Sequence, residues 1–160
     1  MSVAFTKEDS AETAAELLLP DRPVSPGPNL VTKAGLDALT RQLREAEQAY
    51  DAANANEDVN ERRRQAAVPY RDLRYFAERV RTAQVVPEPA TADVVGFGST
   101  VTFERDDGRV QTYRIVGEDE ADPKAGTISH AAPIARVLLG KTVGDFVTLG
   151  DAELEITGIA

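Results

Sequence analysis

The sequence predicts an α+β chain: an N-terminal antiparallel helical hairpin, then a small domain with a twisted antiparallel sheet and one short helix. Two periodicities and a break between them predict it. Apolar residues recur at steps of three and four through Leu36, Leu39, Leu43, Ala46, Tyr50 and Ala53, the spacing of a coiled-coil seam. From Val94 onward they alternate around the turn residues Asp106-Asp107-Gly108, as strands do. Pro87–Asp93, PEPATAD, parts the two patterns. The expected divisions are an N-terminal arm over 1–29, a coiled-coil hairpin over 30–86, a linker over 87–95 and a C-terminal domain over 96–160.

The arm comes first. Ser10–Leu19 suits a short helix, with Ser10 as N-cap and Pro20 as stop. PDRPVSPGPN then places four prolines in ten residues, which biases the backbone towards extended conformations. A floppy tail is the plain alternative. Burying Leu17, Leu18 and Leu19 would gain about 1.5–3 kcal/mol each, which favours docking on the rest of the chain. In the hairpin, Thr32 is placed to cap the first helix. The return arm offers Val59, Ala66, Tyr70, Leu73, Ala77 and Val80 at heptad spacing, with Arg63 in one slot. Ala53–Asn60 supplies the turn, because Asn and Asp compete for local backbone hydrogen bonds. Neither arm should be stable alone, so the two must pack together. Pro69 inside the return arm predicts a kink near Val68; the alternative is a second helix that begins at Pro69. In the C-terminal domain, a hairpin closes at Asp106-Asp107-Gly108. Thr112–Val116, Phe146–Leu149 and Glu153–Ile156 read as strands, and Pro133–Leu139 as the helix.

Composition narrows the function. The formal net charge is −9, which opposes non-specific binding to nucleic acid and suits approach to a basic protein surface. With no cysteine and one histidine, His130, disulfides, thiolate sites, cysteine nucleophiles and multi-histidine metal sites are excluded. No apolar run approaches the roughly 20 residues that span a bilayer. MSVAFTKEDSAET lacks the basic start and apolar stretch of a secretory signal, so a cytoplasmic location is expected.

Tyr113–Asp145, YRIVGEDEADPKAGTISHAAPIARVLLGKTVGD, resembles the C-terminal domain of the GreA/GreB transcript-cleavage factors. The resemblance spans about residues 96–160. A weaker one over about 30–86 rests on architecture, on Ala83-Gln-Val-Val86 and on the tip spacing. It implies an FKBP-like fold for the C-terminal domain. It also implies RNA polymerase as partner, with the hairpin inserted in the secondary channel. Neither a membrane nor free DNA is an expected partner.

At the hairpin tip the family carries an acidic pair separated by two residues. Asp58-Val-Asn-Glu61 matches that spacing, and residues three apart share a helix face. The resemblance thus implies Asp58 and Glu61 as the catalytic pair, ligands of the second Mg²⁺ of the polymerase active site, with no intrinsic cofactor. Mg²⁺ accepts carboxylate oxygens while keeping several waters, and backtracked RNA is cut by two-metal chemistry at the polymerase. The plain alternative is that acidic residues in a first helical turn serve the helix dipole. Two departures from the family bear on the tip. Arg62-Arg63-Arg64 follows Glu61 directly, where it could neutralise the carboxylates or contact the phosphates of backtracked RNA near its 3′ end. The arms also look shorter than those of the cleavage factors by roughly one to two turns of 5.4 Å.

Around Glu118-Asp-Glu-Ala-Asp122 the resemblance implies docking on the rim of the polymerase channel through Asp122, Ser129 and Pro133. A solvated loop is the plain alternative. An FKBP-like fold also raises prolyl isomerisation, which needs an aromatic-lined pocket. Phe97, Phe103, Tyr113 and Phe146 are few for that, and fold does not confer function. The leading expectation is a polymerase-binding elongation factor that stimulates cleavage of backtracked RNA. The alternative is a non-cleaving channel regulator of the anti-Gre or nucleoside-diphosphate-kinase-regulator kind. A plain coiled-coil adaptor is the reading from another class; the polar tip speaks against it.

Overall fold

The heptad spacing from Leu36 produces a long helix. In the computed structural model, which describes residues 19–160, α1 runs Lys33–Asn54 and α2 runs Val59–Thr82. The described chain divides into two compact units, 19–27 with 39–81 and 28–38 with 82–160. The division falls inside α1, between Ala38 and Leu39.

In the first unit the α1 seam lies as the spacing predicts. Leu39 is 1% exposed, Ala46 and Ala53 are buried, and Leu43 and Tyr50 are half-buried. The α2 seam differs. Val59, Arg63 and Tyr70 are exposed, whereas Arg62, Ala66, Pro69, Leu73, Phe76 and Val80 are half-buried. Ala66, Leu73, Ala77 and Val80 of the counted seam are half-buried, so the counted phase holds there and is departed from at Val59, Arg63 and Tyr70. Tyr70 keeps a ring contact with Tyr50, centroids 5.6 Å apart. α2 is unbroken through Pro69, so the alternative of a helix that starts there falls.

Most of the expected Ser10–Leu19 helix, with Leu17 and Leu18, lies outside the described residues. Leu19 is exposed. Residues 19–27 carry no helix or strand and are held against α2. Asp21 pairs with Arg74 at 3.0 Å and Arg22 with Asp72 at 3.3 Å. The Arg22 guanidinium stands 3.9 Å over the Tyr75 ring, a cation–π contact.

The second unit is built on strand alternation. β3 (Thr100–Arg105) and β4 (Val110–Val116) form the expected hairpin, and β6 (Phe146–Leu149) pairs with β7 (Ala152–Ile159). The five-stranded order is β5-β4-β3-β7-β6. The sheet departs from the expected all-antiparallel form at one edge. β5 (Thr127–Ser129), a strand not among those expected, runs parallel to β4. The chain between them makes a crossover through a 3-10 turn at Pro123–Ala125, and a crossover returns a strand parallel. The helix α3 (Pro133–Leu138) covers the sheet with Ala135 and Leu138. Phe103, Ile115, Leu138, Leu154 and Ile156 are fully buried, each stabilising the fold by about 1.5–3 kcal/mol. This core is what holds β4, β5 and α3 in place.

Two short stretches assigned to the hairpin by pattern are strands. β1 (Leu30–Val31) and β2 (Gln84–Val85) pair in parallel. Asn29 closes their end by donating to Thr82 Oγ1 at 3.2 Å. The N-cap of α1 is Thr32 as expected, its hydroxyl accepting from Gly35 N at 2.9 Å. The acidic loop is not simply solvated: Glu120 accepts from both Thr32 N and Thr32 Oγ1.

Candidate functional site

Two places carry the residues singled out by sequence, a groove on the sheet domain and the tip of the hairpin. The groove begins with Asp122. Its carboxylate accepts from Lys124 N at 3.2 Å and so caps the 3-10 turn. Its backbone carbonyl accepts from Thr127 N at 3.1 Å, which fixes the entry to β5. At the exit of β5, Ser129 Oγ accepts from Ala131 N at 3.1 Å. Pro133 follows as the first residue of α3, where a missing backbone donor costs nothing. These local turns leave an elongated groove of about 510 Å³ between β4, β5 and α3. Tyr113, Pro123, Ser129, Pro133, Ile134 and Leu149 line it.

The structure therefore brings Ser129 and Pro133 into one wall. Asp122 stands between the lining residues Ala121 and Pro123 and presents an exposed carboxylate. Sequence reasoning missed Tyr113, Ile134 and Leu149. They come from three elements distant in the chain, and each reads as ordinary core in its own segment. The groove is apolar, with the Arg105 side chain in its lining and the Asp122 carboxylate beside it, so it can take an apolar segment flanked by polar or charged groups. It is no aromatic proline pocket. Phe103 is wholly buried, Phe146 is 62% exposed, and Phe97 packs on the His130 ring at 5.7 Å.

At the tip the turn between α1 and α2 is closed by its own polar groups. Asn56 Oδ1 accepts from Asp58 N at 3.0 Å, and Arg62 Nε donates to the Asn56 carbonyl at 2.9 Å. Asp58 is the N-cap of α2: Oδ1 accepts from Asn60 N at 2.9 Å and Glu61 N at 3.1 Å. Capping accounts for one Asp58 oxygen and leaves the other to solvent. Glu61, at the third helical position, is paired with Arg64 at 3.1 Å. Exposed pairs of this kind are weak. Asp58 and Glu61 thus share the first turn, as their spacing requires. Arg62 is turned to the backbone of the turn, whereas Arg63 and Arg64 are exposed. Among the described residues no group of three or more Asp, Glu, His or Cys is disposed to hold a metal.

Comparison with known proteins bears on both places. Residues 90–160 match the family model described as Transcription elongation factor, GreA/GreB, C-term. GreA of Bacillus licheniformis is 50% identical over 72 residues, covering 44% of this chain and 46% of that protein. GreA of Ralstonia nicotianae is 34% identical over 152 residues, covering 81% of this chain and 95% of that one. The chain belongs to the GreA/GreB family. It spans about half the length of several curated relatives that it matches, at 46% and 56% of two of them. A crystal structure of the GreA factor homolog 1 (Gfh1) protein of Thermus thermophilus covers 84% of this chain and 99% of its own, at 23% identity and a TM-score of 0.40. The groove of this GreA/GreB member lies inside the region matched by the family model, and the tip lies outside it.

Proposed function

We propose that this chain is a transcription elongation factor that docks on RNA polymerase through the Tyr113–Pro133 groove and places its hairpin in the secondary channel. The observation that carries the reading is the groove itself. Of the docking residues that the family resemblance implies, Ser129 and Pro133 line one apolar trough, and Asp122 lies between its lining residues Ala121 and Pro123, within the matched region. Burial of a partner's apolar segment in such a trough gives affinity, and a rim carboxylate adds orientation. At the tip, the free Asp58 oxygen and Glu61 would supply carboxylate ligands to the polymerase Mg²⁺ and so stimulate cleavage of backtracked RNA. The chain is then no enzyme itself; it adds ligands to another protein's metal site. Arg63 and Arg64 would face the RNA phosphates.

A second reading, occupation of the channel without cleavage, is favoured by one observation. Both tip carboxylates have local partners, Asp58 in the cap and Glu61 in its pair with Arg64. A cleavage assay on a halted, backtracked elongation complex separates the two. Shortened transcripts above the level of polymerase alone support cleavage. No cleavage, together with competition against a known cleavage factor, supports occupation. Failure to bind core polymerase at all refutes both.

A further inference from the structure

The helix N-cap at Thr32 has an unusual composition. In a capping box, a Ser or Thr at the cap is answered by Glu or Gln three residues on, whose side chain returns to the cap's own N–H. Here the third helical position is Gly35, which has no side chain. The carboxylate comes instead from Glu120, 88 residues later in the chain. Glu120 Oε2 accepts from Thr32 N at 3.1 Å, and Oε1 accepts from Thr32 Oγ1 at 2.6 Å. Thr32 Oγ1 in turn accepts from Gly35 N. The box is complete, with its acidic half supplied by the loop that follows β4. Two glycines clear the space. A Cβ at Gly35 would collide with the Glu120 carboxylate, and one at Gly117 would stand 2.6 Å from the Leu30 carbonyl. Thr32 is 6% exposed, so its N–H and hydroxyl need these partners.

We propose that Glu120 is a positioning residue, a cap supplied from a distance that ties the first turn of α1 to the loop bearing Asp122. Thr32, Gly35, Gly117 and Glu120 all belong to the second unit. A cap within the helix would satisfy the same backbone groups but leave the loop untied. The use of a distant glutamate adds a tether to the cap at no extra cost in unsatisfied donors. One residue, Ala121, separates Glu120 from Asp122, so the tie joins the entry of the hairpin to the edge of the groove. This deepens the docking reading and rests on it for its consequence at the polymerase.

A pair of variants separates tethering from capping. Glu120→Ala removes both. Gly35→Glu with Glu120→Ala rebuilds the box within α1, since loss of the carboxylate frees the space that a Cβ needs. The chain has no cysteine, so Asp37→Cys with Thr148→Cys, both exposed sites of the second unit, permits spin labelling of the full-length protein. We expect the double variant to recover the thermal stability lost in Glu120→Ala. Its label-to-label distance distribution should stay broad, against a narrow one in the parent. A distribution as narrow as the parent's would overturn the proposal and reduce Glu120 to a cap. With polymerase, the double variant should bind within about twofold of the parent yet lose roughly 10- to 100-fold in cleavage or in competition, the scale of a misplaced group. Full recovery of that activity would also overturn it. A parent that fails to bind polymerase would refute the docking reading alone, and the distance measurement would still decide the tether.

Discussion

Asp58 has two roles that substitutions can separate. Asn is as good an N-cap as Asp, so Asp58→Asn should unfold at the parent's temperature. Asp58→Ala removes the acceptor for Asn60 N and Glu61 N and should cost about 1 kcal/mol in thermal unfolding. If Asp58 ligates the polymerase Mg²⁺, Asp58→Asn collapses cleavage while stability and polymerase binding persist. Cleavage at the parent's rate in Asp58→Asn combined with Glu61→Gln would sink the ligand role. Asp145 gives a second residue-scale expectation. The Thr142 backbone N–H, at 2.8 Å from Oδ2, and then the Thr142 hydroxyl hold its carboxyl below the ordinary aspartate value. A carboxyl lowered in the folded state stabilises above its unfolded pKa of about 4, and that contribution fades as pH falls through the lower folded value. Asp145→Asn should therefore lower the unfolding temperature at neutral pH. The difference from the parent should shrink towards acid; a difference that grows below about pH 4 would contradict this.

At the scale of elements, the two helices of the hairpin were unequally legible. α1 carries six apolar residues in strict three-four alternation, so only one phase buries them. Leu39→Ala should cost about 2–5 kcal/mol in chemical denaturation, because a side chain 1% exposed leaves a cavity. Val59→Ala is the counterpart on α2. Heptad counting puts Val59 in the seam, whereas the structure leaves it 51% exposed. Its loss should stay within about 0.5 kcal/mol; a cost near that of Leu39→Ala would return Val59 to the seam. The arm at 19–27 is held on α2, where Arg22 covers Tyr75 and bonds Asp72. Arg22→Ala should cost about 1 kcal/mol through lost stacking and one part-exposed ion pair.

At the scale of the whole molecule, the proposed docking rests on the groove of the sheet domain. Charge reversal of Asp122 together with Pro133→Ala should weaken binding to core polymerase by about tenfold or more, roughly 1.4 kcal/mol, without lowering the unfolding temperature appreciably. Neither residue is buried, so a large loss of stability would mean that the groove is structural. Affinity unchanged in this variant, measured by titration with labelled polymerase, would move the docking surface elsewhere. Much of this site could be read from the chain because Tyr113–Asp145 is contiguous and carries Asp122, Ser129 and Pro133 within twelve residues of one another. Leu149 could not, because the groove acquires it only when β6 joins the sheet.

Local periodicity and local chemistry were enough to determine the α+β class, α1, the Thr32 cap, the β3–β4 turn and the acidic tip. Each depends on residues a few positions apart, where backbone geometry alone fixes which side chains meet. The exposure of Val59 and Tyr70 on α2, the parallel entry of β5, the pairing of Leu30–Val31 with Gln84–Val85 and the Glu120 cap were decided by tertiary structure. The last three join partners 13 or more residues apart, and short-range spacing holds no record of them. A glutamate in an acidic loop has the same local pattern whether it faces solvent or closes a helix 88 residues away; only the folded sheet, by carrying that loop to Thr32, distinguishes the two.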